Sequence, residues 1–190
     1  MGRPRFPAGA AALLVLWQAA AAVLPARIFP APAPVLRLFF SLLPGELGLH
    51  AAASVGRTAC AVAAATLFAL PLGILLGRSR RADRMAGPLV YLLYPVPKIA
   101  FLPVFMLLLG IGDTAKIALV SSVIFFQMAV MIRDAVRRIP GEYEAAVRAH
   151  GGGKRAVLRF VLLPASLGGV ISSLRFAGGT SLAVLFFAET

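Results

Sequence analysis

Five stretches of the chain are apolar for long enough to form helices that cross a membrane: about residues 8–24, 52–77, 86–110, 116–136 and 167–188. A spanning helix needs about 20 mostly apolar residues, because the hydrocarbon layer is about 30 Å thick and each residue rises about 1.5 Å. The first stretch is interrupted only by Trp17 and Gln18. The second is rich in alanine, with Cys60 among the small residues, a composition that lets neighbouring helices approach closely in lipid. None of the stretches alternates apolar with polar positions, so a strand reading fails. Between the first two, Pro25, Pro30, Pro32, Pro34 and Pro44 punctuate the chain, and residues 35–43 read as a short helix lying on the outer membrane surface. Between the last two lies a segment, residues 140–164, that mixes apolar and charged positions around three consecutive glycines.

Composition agrees with this pattern. Of 190 residues, 60% are hydrophobic, more than a soluble core of this size can hide. With two histidines and one cysteine, neither a disulfide framework nor a His/Cys metal site is expected. The net charge of +12 is carried by only 14% charged residues, too thin a set for a nucleic-acid face. Its distribution explains it better. Arg3, Arg5, Arg78, Arg80, Arg81, Arg84, Arg133, Arg137, Arg138, Arg148, Lys154, Arg155 and Arg159, 13 of the 19 basic residues, fall on one side of the five stretches. The other side has Arg27 and Arg37 in a long loop and Gly110-Ile111-Gly112-Asp113 in a short one. Basic residues stay cytoplasmic, so the N-terminus is expected inside and the chain is expected to end outside. Residues 1–24 also carry the arginines, apolar core and small residues of a secretory signal; four further spans make a retained helix the simpler account.

In the 140–164 segment, Pro140 followed by Glu142 and Glu144 suits a helix start, where acidic groups meet the positive end of the dipole. Gly151, Gly152 and Gly153 predict a helix stop and a sharp turn. A second short helix over residues 154–163, closed by Pro164, completes a helix–turn–helix shelf on which a partner can dock.

These residues resemble the cytoplasmic coupling loop of bacterial ABC importer permeases, whose motif is an acidic residue, two alanines, three residues, glycine, and Leu-Pro about a dozen residues on. Glu144-Ala145-Ala146, Gly151 and Leu163-Pro164 supply the parts, with four residues rather than three between Ala146 and Gly151. Alignment on Gly151 and Pro164 puts Ala145 in the acidic position; alignment on Glu144 puts His150 in the glycine position. Other pieces resemble the nitrate, sulfonate, taurine and thiamine-precursor branch of that family: Ser54-Val55-Gly56-Arg57, residues 71–78, residues 95–103 with the following Gly110 turn, and Ala188-Glu189.

The resemblance implies an all-α membrane protein: five visible transmembrane helices of an expected six-helix ABC importer permease fold, with a cytoplasmic coupling helix–turn–helix. Residues 1–48 would hold the first span and a periplasmic segment, and residues 49–190 a transmembrane domain that lacks its sixth span. It implies a subunit of the bacterial inner membrane that works with a second permease copy, ABC ATPase subunits and a periplasmic solute-binding protein. The solute would be small, anionic or heteroaromatic. The chain itself is expected to be no enzyme and to hold no cofactor or metal, since ATP belongs to the partner; Gly151-Gly152-Gly153-Lys154 lacks the spacing of a phosphate-binding loop. Glu142, Glu144, Ala145, Ala146, Arg148, Gly151, Gly152 and Pro164 would couple to the ATPase, although Glu144 also stands at the favoured helical spacing from Arg148. Arg148, Lys154, Arg155 and Arg159 also suit lipid headgroups.

Lys98 lies about twelve residues into the third stretch, about 18 Å at helical rise, and Pro95 and Pro97 break the helix beside it. The three read either as part of a translocation path for an anion or as a structural kink with a snorkelling lysine. Arg57 and Arg175 are assigned to span ends, and Gln127, one neutral polar side chain, suits a bond with a neighbouring helix as well as a place on the path. A secondary carrier or channel working without an ATPase, and an inactive truncated remnant, are the other two classes open to such a chain.

Overall fold

The computed structural model describes the backbone of residues 5–189 and the side chains of residues 8–189. Arg3, the side chain of Arg5 and Thr190 lie outside the described residues. The fold among these residues is all α, and it divides into two compact units, residues 1–53 and 54–190.

The first unit holds α1 (Arg5–Val23) and α2 (Pro32–Leu42). The apolar part of α1, Ala8–Val23, is shorter than the length that crosses a bilayer alone. Trp17 Nε1 donates to the Pro30 carbonyl at 3.0 Å and folds the proline-rich link back on α1. The expected short helix forms as α2, with proline at its first position, where no amide hydrogen is needed.

The second unit is built around α6 (Asp113–Arg137). Leu119, Ile124, Met128, Ala129 and Ile132 of α6 are fully buried. Lipid tails are as apolar as leucine, so helices join in a membrane by close packing rather than by the hydrophobic effect. Helix α3 (Glu46–Arg78), whose first turns belong to the first unit, presents Ala61, Ala65, Ala69 and Gly73 at four-residue spacing. A Cβ on Gly73 would lie 2.7 Å from that of Ile132, so only glycine allows this approach. Across the same seam, the Ser121 hydroxyl donates to the Ala61 carbonyl at 3.2 Å. Helix α9 (Leu163–Glu189) packs on α6 with Ser166, Gly169, Ser173, Ala177 and Ser181, and the three hydroxyls turn back to their own helix's carbonyls. These three helices, with α9 running on from residue 154, are long and apolar enough to cross a membrane.

The third predicted stretch does not form one straight helix. It is α4 (Arg80–Leu93), a break at residues 94–97, a 3-10 turn (Lys98–Phe101) and α5 (Leu102–Leu109). The two halves meet at 83°, the geometry of a broken span or a re-entrant loop. Pro95 and Pro97 lack amide hydrogens and force this break. With such a bend, the depth counted along a straight helix does not hold for Lys98. Among the described residues, three helices are long and apolar enough to cross a membrane, or four if the bent pair counts as one span, where the sequence pattern suggests five.

Candidate functional site

The loop between α6 and α9 folds into α7 (Gly141–Ala149), a turn, and α8 (Lys154–Val157), which passes through a π turn (Leu158–Leu162) into α9. The turn has a Schellman geometry. The amide of Gly152 donates to Val147 O and that of Gly151 to Arg148 O, both at 2.9 Å, with Gly151 at φ +79°. Gly151 is there for its backbone angle, since a Cβ on it would meet nothing. Gly152 is there for space: its Cβ would lie 2.5 Å from Val147 Cγ1 and 2.7 Å from Val147 O. Gly153 precedes the first residue of α8.

The sequence predicts that Pro164 closes the second helix, but it does not: one continuous helix runs over Lys154–Glu189. A proline in a helix cannot donate to the carbonyl four residues back and crowds it. Immediately before Pro164, Leu163 N donates to Leu158 O, five residues back, and this wider turn makes room for the ring.

Glu144 faces inward, its side chain 14% exposed, and pairs with Arg78 at the end of α3. Arg148 is 3.9 Å from the same oxygen, so the local helical pairing is the weaker contact. Helix α7 is thereby tied to the end of α3. Glu142, Ala145, Ala146 and Arg148 are exposed, with Ala146 O accepting the His150 amide at 3.3 Å. A groove of about 440 Å³ lies between the loop and the spans, lined by Ala135, Arg138, Pro140, Tyr143, Phe160 and Pro164.

A second charged cluster stands beside the first. Arg133, 8% exposed, grips Asp83 with Nε at 2.5 Å and Nη2 at 3.0 Å, and donates to the Tyr91 hydroxyl at 2.7 Å. Arg137 reaches the same carboxylate at 2.6 Å. At the far end of the spans, Arg57 bridges Asp113 at 2.8 Å and Glu189 at 2.5 Å, and Ser54 donates to Glu189 at 2.9 Å. The separately read motifs Ser54–Arg57, Asp113 and Glu189 thus form one cluster joining α3, α6 and α9.

Pro95, Pro97 and Lys98 sit together at the break. The Lys98 ammonium donates to the carbonyls of Leu93 (2.6 Å), Tyr94 (3.2 Å) and Val96 (3.3 Å), and lies 4.5 Å from the centre of the Phe126 ring. All three of its hydrogens are taken by the frayed end of α4. Gln127 keeps Oε1 buried without a partner among the described residues. Arg175 is not at a span end; it lies in the interior of α9, twelve residues after Leu163 and fourteen before Glu189. Sequence reasoning missed Arg78 and Asp83 as partners, and the mixed signs at the ends of adjacent spans were the available signal. No cluster of metal-binding side chains exists among the described residues.

Apolar spans bounded by charged clusters at both ends, with a helix–turn–helix joining two of them, define a multi-pass membrane protein. Residues 69–190 match the binding-protein-dependent transport system inner membrane component, and the chain belongs to that family. The taurine transport system permease protein of Escherichia coli (strain K12) is 33% identical over 184 residues, 93% of this chain and 67% of the relative. The formylaminopyrimidine transport permease protein of Halalkalibacterium halodurans is 24% identical, over 87% of this chain and 66% of its own length. The bicarbonate transport system permease protein of Synechococcus elongatus is 28% identical, over 72% of this chain and 49% of its own length. The chain thus spans about two thirds of the taurine relative's length and half to two thirds of the other two.

Proposed function

We propose that the chain is the membrane subunit of an ATP-driven importer, taking a small solute, anionic or heteroaromatic, from a periplasmic binding protein. The observation that carries this reading is the rigid turn at residues 150–153, held by two glycines with different tasks and tied to α3 through Glu144 and Arg78. A docking element has to hold its shape and to hand its movement to the spans. The α7 turn meets the first need by its Schellman bonds and the second by the ion pair and by the unbroken run of α8 into α9. The exposed side chains of Glu142, Ala145, Ala146 and Arg148 face the ATPase in this reading, and ATP stays on that partner.

A second copy of the chain completes the path in the same reading, the basic end faces the cytoplasm with the N-terminus, and Lys154, Arg155 and Arg159 meet lipid headgroups. The taurine, formylaminopyrimidine and bicarbonate proteins named above support a small polar solute without choosing among them. Co-purification from the native membrane tests the assembly. An ATPase and a binding protein recovered with the wild type, and the ATPase lost in Gly152→Val, are the expected results. ATPase recovery unchanged in Gly152→Val would sink the assigned dock, and uptake that survives inactivation of the ATPase would favour a secondary carrier.

A further inference from the structure

We propose that Arg133 is a positioning residue of the importer: it holds α4 as a strut that carries the movement of α7 to the break beside Lys98. This deepens the importer reading and rests on it. The chain path between the two places is short. Arg78, which takes Glu144 of α7, is the last residue of α3, and Ser79 alone separates it from α4. Ser79 is extended, with φ −109° and ψ 110°, and its Oγ accepts the Ala82 amide at 3.3 Å, so α4 is capped at its first turn. The Ser79 amide still closes on Leu75 O at 2.9 Å, and the Asp83 amide on Ser79 O at 3.0 Å. No slack is left between the two helices, and the Glu144–Arg78 pair stands at the base of α4.

Helix α4 is fixed to α6 by charge. Among the described residues, the buried apolar core is drawn from α3, α6, α9 and the turns leading into α9, and no residue of α4 joins it. Instead Asp83, Gly87 and Tyr91 follow one another on α4 at four-residue spacing and so share one face. The Arg133 guanidinium spans that face: Nε and Nη2 take the two oxygens of Asp83, while Nη1 donates to the Tyr91 hydroxyl at 2.7 Å and to Asp134 at 2.8 Å. One side chain thus grips α4 at two points two turns apart, in the bidentate geometry that only arginine offers. Gly87 leaves room for the carboxylate, since a Cβ there would lie 3.1 Å from Asp83 Oδ1. The other end of α4 is held from the same side. Lys98, which takes the carbonyls of Leu93 and Tyr94, lies over Phe126, and Phe126 and Arg133 are seven residues, about two turns, apart on one face of α6. Without Arg133, Asp83 keeps only Arg137, and α4 is free to swing between Ser79 and the break while α7 moves.

A route of this kind has to be shown by coupling rather than by adjacency. In the full complex, in a Cys60→Ala background, nitroxide labels are placed at Met85→Cys on α4 and Ile111→Cys in the turn after α5, both exposed positions. The distance between them is read by electron spin resonance before and after ATP is trapped with orthovanadate. In this parent it should shift by several ångströms on trapping. Arg133→Gln should trap as much ATP, because α7 is untouched, and lose most of the shift; Arg133→Lys, which cannot grip both oxygens, should keep part of it. If Arg133→Gln fails to assemble, trapping falls with the shift, and Tyr91→Phe decides in its place. That variant keeps the charge pair and loses one tether, so its shift should shrink with trapping unchanged. No shift in the parent overturns the strut, and so does a full shift in Arg133→Gln or, in its place, in Tyr91→Phe. A parent that recovers no ATPase and traps no ATP overturns the importer reading. The clamp is then read without nucleotide: the Met85–Ile111 distribution should broaden in Arg133→Gln, and an unbroadened one overturns the positioning role as well.

Discussion

Two adjacent glycines answer different demands at the α7 turn, and single substitutions separate them. Gly151→Ala forces a side chain into the left-handed region, at a cost of about 1–2 kcal/mol, in open space. Gly151→Asn should recover much of that loss, because asparagine tolerates this region. Gly152→Ala introduces no angle problem and instead drives Cβ into Val147, an overpacking cost of about 1–3 kcal/mol. Thermal unfolding of the detergent-solubilised protein should rank Gly151→Asn above Gly151→Ala, and no polar residue should rescue position 152. Lys98 is argued at the same scale. Its ammonium holds three carbonyls at the break, so Lys98→Met leaves them unpaired and should lower the unfolding temperature, whereas Lys98→Arg should lower it less. An unchanged melting point in Lys98→Met would remove the capping role.

Among the elements, the seam between α3 and α6 is the most sharply constrained. Gly73 and Gly77 stand one turn apart, and a Cβ on either would come within 2.7 Å of Ile132 or Val136. Gly73→Val should separate the helices and weaken the unit by several times the effect of Gly56→Val, where a Cβ meets nothing; resistance to unfolding in mixed micelles checks this. The sequence displayed this seam openly, since small residues at four-residue spacing in an apolar run have few other uses. It also displayed the break at Pro95 and Pro97 and the stop at Gly151. It hid the ion pairs, because Arg57 and Glu189 are 132 residues apart and nothing local links them. It hid the passage through Pro164 for another reason: a proline reads as a stop, and the wider turn that accommodates it leaves no mark of its own in composition. Arg175 was misplaced because counting along an apolar stretch gives no register, and only the contacts of Gly169 and Glu189 fix its depth.

At the scale of the unit built around α6, two ion-paired clusters lie at opposite ends of that helix. Asp113 begins the helix within the Arg57 cluster, and Arg133 and Arg137 end it within the Asp83 cluster. The proposed topology puts the Asp113 end outside. A cysteine at Ile111, in the exposed turn before α6, should be reached by a periplasmic thiol reagent, and one at Ser79 should not; the reverse pattern would invert the orientation. Arg57→Gln removes the link between three helices. It should raise the labelling of a cysteine at Ala188, which is buried beside that cluster, while leaving the distant Asp83 cluster intact. No change at Ala188 would show that packing alone holds this end closed.

The wide turn at Leu158–Leu162 accommodates one surplus residue without ending the helix, so the chain there is one residue longer than an ordinary spiral needs. Deleting a residue from this turn while also replacing Pro164 by alanine should yield a regular helix with the α8 turn and α9 still in phase. Deletion with Pro164 left in place would bring the ring against the carbonyl it now avoids. The length of this turn and the identity of residue 164 are therefore coupled in one direction: a residue can be lost here without bending the helix only if Pro164 is replaced as well.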